Sequence, residues 1–165
     1  MATSQQVSVH DPFRRPVFMP AVFYRDPFAA LSWLERAFGF TRSMLITDAA
    51  GGFGHAEMRL GDGTIMVGGL WAAHVGSPAD FGGVNTQSVH VQLADGLDAH
   101  CGRARAAGAV ITQEPAEQFW GDRTYRARDL DGHEWTFGQT VRTVSREEAE
   151  RASGLRIEGW GQGQL

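Results

Sequence analysis

Residues 120–139 read WGDRTYRARDLDGHEWTFGQ. Asp131-Gly132 is turn chemistry, and the residues on either side alternate. Tyr125 and Ala127 interleave with Thr124, Arg126 and Arg128; Trp135 and Phe137 interleave with Glu134 and Thr136. Alternation on both sides of Asp-Gly predicts a β-hairpin, 122–129 and 133–138, with one apolar and one polar face. The pattern returns upstream in GHAEMRLGDGTIMVGG (54–69). There Asp62-Gly63 predicts a second hairpin, 54–60 and 64–69, with Ala56, Met58 and Leu60 opposite His55, Glu57 and Arg59.

The two stretches are offset by 69 residues (131 − 62), and the offset extends outward. Residues 17–70 laid on 86–139 without a gap give 11 identities, among them Asp26/Asp95, Gly39/Gly108, Arg59/Arg128 and Gly69/Gly138. Chance at this composition gives about 4. Each half opens with a strand, 17–24 and 86–93. Asp26 and Asp95 then stand where a helix begins, and Gly39 and Gly108 where it ends. The helices run over 27–38, with Phe28, Leu31, Leu34 and Phe38 in one stripe, and over 96–107, with Leu97, Cys101 and Ala104. A further strand, 40–47 or 109–113, leads into each hairpin. The fold class is therefore α+β: two tandem β-α-β-β-β modules forming a cup-shaped curved sheet. The division is a flexible N-terminus (1–16), a first module (17–70), a linker (71–85), a second module (86–139), and a C-terminal helix and tail (140–165). Ser145 through Glu148 form a capping box for that last helix, with a stop at Gly154.

Composition narrows the function. The 165 residues are 42% hydrophobic and 21% charged, which excludes a disordered chain, and no apolar run is long enough to span a bilayer. Fifteen Lys+Arg lie scattered among 19 Asp+Glu, for a net charge of −4, which argues against nucleic-acid binding. The single cysteine, Cys101, cannot form an internal disulfide, and residues 1–16 show no secretory signal. A cytoplasmic protein is expected.

Alternation turns Val89, Val91 and Leu93 toward the helix and leaves Ser88, His90 and Gln92 on the opposite face. That opposite face also collects Met19, Phe23, Glu57, Arg126, Glu134 and Thr136. It reads either as a solvated exterior or as a polar and aromatic cleft for a small organic ligand. Trp120 offers core packing or a wall for stacking. Glu57 and Arg126 are repeat-equivalent (57 + 69 = 126) and form either a structural ion pair or the two poles of a binding cup.

On the 120–139 and 54–69 stretches, the chain resembles the vicinal oxygen chelate superfamily, in particular its small glyoxalase and bleomycin-resistance-like members. The resemblance implies paired modules whose sheets form an open cup, and a homodimer. It implies metal ligands on the first and last strands of each module. Those positions read Met19, Val67, Ser88 and Thr136 here, and none is a His or a carboxylate. No metal or other cofactor is therefore expected. The function expected is sequestration of an organic ligand in the cup, contacted by Met19, Phe23, Glu57, His90, Gln92, Trp120, Arg126, Glu134 and Thr136. The alternative is a lyase, isomerase or dioxygenase-type enzyme with Glu57 and His90 as catalytic groups, or with a nonstandard metal site. Whether the modules pair within one chain or between two is left open. Trp71, Phe81 and Trp160 supply apolar surface for a dimer.

Overall fold

A computed structural model describes residues 15–160, so 1–14 of the expected flexible N-terminus and 161–165 of the tail lie outside the described residues. The first module comprises β1 (Ala21–Phe23), α1 (Pro27–Phe38), β2 (Thr41–Thr47), β3 (Phe53–Leu60) and β4 (Gly63–Gly68). The second comprises β5 (Val89–Gln92), α2 (Leu97–Ala106), β6 (Val110–Glu117), β7 (Asp122–Arg128) and β8 (Glu134–Thr140). A 3-10 turn, Pro78–Phe81, lies in the linker, and α3 (Arg146–Ser153) follows the second module. The strands form two four-stranded sheets, ordered β1-β4-β3-β2 and β5-β8-β7-β6. In each, the first strand runs parallel to the last, and the other pairings are antiparallel.

Several local predictions hold for the reasons given. Asp26 caps α1 by accepting from the Ala29 amide at 3.0 Å, and Gly39 closes it at φ 73°. Ser145 caps α3 by accepting from the Glu148 amide at 3.2 Å. Others shift. β1 covers only Ala21–Phe23, because Pro20 has no N–H and can offer only its carbonyl, which takes the Met66 amide at 2.8 Å. β6 runs on to Glu117 through Pro115; it is an edge strand with register shifts, where a missing donor is tolerated. Asp95 does not cap α2. Gly96 takes that position, and the Leu97 amide is satisfied instead by Gln139 Oε1 at 3.0 Å.

The hairpins also differ from the Asp-Gly reading and from each other. The first turns on Gly61-Asp62, with Leu60 paired to Gly63 and only Gly61 at positive φ (59°). This is the pattern of a type II′ turn. In the second, the Asp129 amide bonds the His133 carbonyl at 3.1 Å, closing a three-residue loop, Leu130-Asp131-Gly132, with Gly132 at φ 85°. The second hairpin thus holds one more residue. Beyond it, the repeat offset becomes 70: Phe23 pairs with Gly68, and Gln92 with Gly138.

One apolar core serves both modules. Phe38, at the end of α1, lies edge-on to Trp33 and packs on Trp135 and Phe137 of the second sheet. Tyr24, Leu31, Leu34, Met58, Val67, Leu97, Tyr125 and Cys101 join the same cluster. The helices carry the junction as well: Trp33 Nε1 donates to the Ala107 carbonyl at 2.8 Å.

His100 of α2 makes the reciprocal contact. Its Nε2 lies 2.9 Å from the Phe38 carbonyl and its Nδ1 2.7 Å from the Tyr125 hydroxyl. A carbonyl can only accept, so Nε2 carries a proton; burial favours the neutral ring, in which Nδ1 accepts from the Tyr125 hydroxyl. Burial pushes the imidazole pKa down, a direction opposed by the bond to Phe38 and reinforced by the Arg103 charge. The unfolded imidazole, near 6.5, therefore takes a proton before the folded one does. The stability this site contributes is present above that value and is lost as pH falls through it. Urea unfolding at pH 7.5 and 5.5 should show the loss in the wild type and a smaller loss in His100→Gln. Equal losses in both proteins would refute the assignment.

Candidate functional site

β-Strand alternation gives each sheet a face turned to the shared core and an open face. In the first sheet, Ala56, Met58 and Val67 are sealed in the core. The register places Glu57 beside Met66 on β4 and Met44 on β2, with Phe23 and His55 on the same face. Met44 and Met66 flank its one carboxylate, and His55 and Arg59 share the face. Glu57 is only 4% exposed. Its Oε1 accepts from Arg15 Nη1 at 2.6 Å, and His55 Nε2 stands 3.5 Å away. A cleft of about 320 Å³ adjoins it, lined by Phe23, Phe53, His55, Leu70 and Trp71 and floored by glycines.

The second open face is polar. His90 Nε2 lies 3.0 Å from Gln92 Oε1; Gln92 Nε2 donates to Thr140 Oγ1 at 3.1 Å, and Thr140 donates to Asp122 at 2.7 Å. His90 and Arg126 flank Thr136 in the register. Glu134 is engaged, accepting from Thr112 at 2.8 Å and from Arg128 at 3.0 Å. His90, Gln92 and Arg126 are exposed.

The sorting of side chains between faces therefore matches the alternation, but the grouping of the candidates does not. Both sheets turn their backs to one core, so their open faces lie on the outside of the chain rather than across a cavity from each other. Glu57 and Arg126 do not pair; Glu57 pairs with Arg15. Met19 lies half-buried just before β1, and Trp120 sits in the β6–β7 turn, edge-on to Phe119. Of the expected dimer residues, Trp71 is 70% and Phe81 64% exposed, whereas Trp160 donates to the Val144 carbonyl at 3.1 Å. Sequence reasoning missed Arg15, Met44, Met66 and Phe53. The period-2 pattern of 41–47, 53–60 and 63–68 could have supplied Met44, Phe53 and Met66; nothing in the sequence marks Arg15.

The expected metal positions need one correction. Val67 is fully buried on the core side, and with the extra residue in the second hairpin the repeat equivalent of Thr136 is Met66, not Val67. The set becomes Met19, Met66, Ser88 and Thr136. Two thioethers and two hydroxyls do not suit a hard or borderline divalent cation. Among the described residues, no three His, Cys, Asp or Glu side chains come together as a metal site. Nor is any helix of the described residues long and apolar enough to cross a membrane.

Comparison with known proteins agrees with this architecture. Residues 17–137 match the family described as the Glyoxalase/Bleomycin resistance protein/Dioxygenase superfamily. The chain is similar to the crystal structure of TioX from Micromonospora sp. ML1: 37% identity, TM-score 0.61, covering 75% of this chain and 98% of that one. An uncharacterised protein of Mycobacterium bovis is 28% identical over 148 residues, 87% of this chain and 96% of its own length. The fosfomycin resistance protein FosX of Listeria monocytogenes shares the fold at 12% identity, with a TM-score of 0.57 over 82% of this chain and 98% of that one.

Proposed function

Because the chain belongs to the glyoxalase/bleomycin resistance protein/dioxygenase superfamily, we propose that it is a metal-independent binding protein whose open sheet faces hold a small organic ligand, and that a second copy completes the cup. The observation that carries this reading is the contrast between two uncovered walls. One sets Glu57 between Met44 and Met66; the other presents His90, Gln92 and Arg126. Each is half of a site. Placed against each other from two chains, they make a concave pocket with an apolar side and a polar side, the usual composition of a small-molecule site. Exchange between chains is supported by the helix-side core, which already occupies the contact between modules of one chain. Exposed Trp71 and Phe81 supply further apolar area for the partner. Binding is favoured over metal-assisted catalysis by the thioether and hydroxyl set at the metal positions. A single thiol, buried in the core, fits a reducing compartment such as the cytoplasm.

Sedimentation at micromolar concentration should report twice the 18.0 kDa chain mass. A thermal-shift screen of aromatic, amine and carboxylate compounds should then find ligands that raise Tm, since ligand at a hundred times its Kd adds about 2.7 kcal/mol. A monomer across the concentration range with no compound raising Tm would overturn the reading.

A further inference from the structure

We infer that Glu57 is the receptor for a cationic nitrogen and that Arg15 is a built-in stand-in, which the ligand displaces. The ligand class is an amine, amidine or guanidine carried on a flat apolar body. This rests on the reading of the first open face as a binding wall.

Glu57 stands in the middle of a sheet, between Met44 and Met66, and is almost sealed from water. A carboxylate in such surroundings is costly unless a cation pairs with it. Among the described residues, the sheet supplies no permanent cation there; His55, 3.5 Å away, is charged only when protonated. Arg15 supplies one, from the stretch before β1, and its own side chain is 52% exposed. Between Arg15 and the first sheet bond, at Pro20, Val17 and Phe18 are 93% and 85% exposed. The buried half of the pair thus stands on a central strand of the module, while the other half comes from the stretch before β1, outside the sheet.

The neighbouring cleft supplies the rest of the ligand's chemistry. His55 links it to Glu57, 3.5 Å away, and Phe23, Phe53 and Trp71 give aromatic faces suited to a planar body and to a cation. Trp71 is largely exposed, so those faces are accessible. Arg15 competes as a tethered guanidinium at high effective concentration, and its removal should unmask the carboxylate.

The test uses the full chain with two probes of the same shape, benzamidinium and uncharged benzamide, titrated by calorimetry and NMR. Benzamidinium should bind Arg15→Gln at least fivefold tighter than the wild type, and benzamide should bind the two alike. Adding Glu57→Gln should erase the gain, while Glu57→Asp should keep part of it. If Arg15→Gln binds benzamidinium no tighter than wild type, the inference fails. That variant decides the matter even if those at Glu57 unfold, because Arg15 lies half in solvent. Equal gains for both probes, with shifts at Phe23 and Trp71, would refute the cation receptor and leave the wall as a ligand site. No binding of either probe to any variant would refute the receptor and count against the wall itself.

Discussion

Asp129→Ala should lower the unfolding free energy by about 3–5 kcal/mol, the range for removing one partner of a buried charged network. Asp129 is 6% exposed and lies where the modules meet. Its Oδ2 accepts from the Tyr24 hydroxyl at 2.7 Å and from Trp135 Nε1 at 2.9 Å. Its Oδ1 accepts from the amides of Asp131 at 3.0 Å and His133 at 2.9 Å. Burial pushes the carboxyl's pKa up, against the pull of His133 and of the Trp135 and Tyr24 bonds. Alanine would strand four donors at once, two of them on side chains fully enclosed by the core. Asp129→Asn would keep the volume but turn an NH2 group toward donors, so it should also destabilise. Urea titration measures both. A loss below about 1 kcal/mol for the alanine variant would mean that water replaces the carboxylate and that the network contributes little.

Phe38→Ala should cost a similar amount, about 3–5 kcal/mol, because it removes a fully enclosed ring and leaves a cavity. The effect should reach both halves of the chain. Phe38 belongs to α1, yet its centroid lies 4.7 Å from that of Phe137 and 5.5 Å from that of Trp135, both on β8. His100 of α2 stacks on it at 6.2 Å. The variant should therefore still unfold in one transition, at lower denaturant, whether followed by tryptophan fluorescence or by far-UV circular dichroism. Two separated transitions, or a loss under about 1.5 kcal/mol, would show that the modules are independent and merely touch.

The fold was legible because turns and caps are local. Asp26, Gly39, Ser145 and Gly154 act within one helical turn of themselves, and the alternation in 54–60 and 122–129 reports which face meets the core. What depends on distant partners was not legible. The Leu97 amide is served by Gln139, 42 residues away, so Asp95 was free to leave its expected cap. The extra residue in the second hairpin is invisible to a gapless comparison: Asp-Gly occurs in both hairpins, but it is used differently in each. That one residue moved the expected site position from Met66 to Val67. The site was legible only as a face. Alternation put Glu57, His90 and Arg126 on open faces, but it carries no information about how two sheets are turned relative to each other. That orientation is set by Phe38, Trp135 and the α1–α2 contact. Arg15 falls outside every periodic element, so no pattern could pair it with Glu57.

The loop of Leu130, Asp131 and Gly132 also settles which half belongs with which. Its acceptor, Asp129, receives the Tyr24 hydroxyl, and Asp131 Oδ2 receives the Arg25 amide at 2.8 Å. In the first module the residue at the position of Asp129 is Leu60, and its hairpin is one residue shorter. Two first modules set back to back would bury the Tyr24 hydroxyl against a leucine. Two second modules would bring Leu93 to the carboxylate where Tyr24 belongs, leaving it a donor short. Each half therefore carries an address for the other and a penalty for itself. The likeness between the halves breaks at the seam, so they are not interchangeable parts.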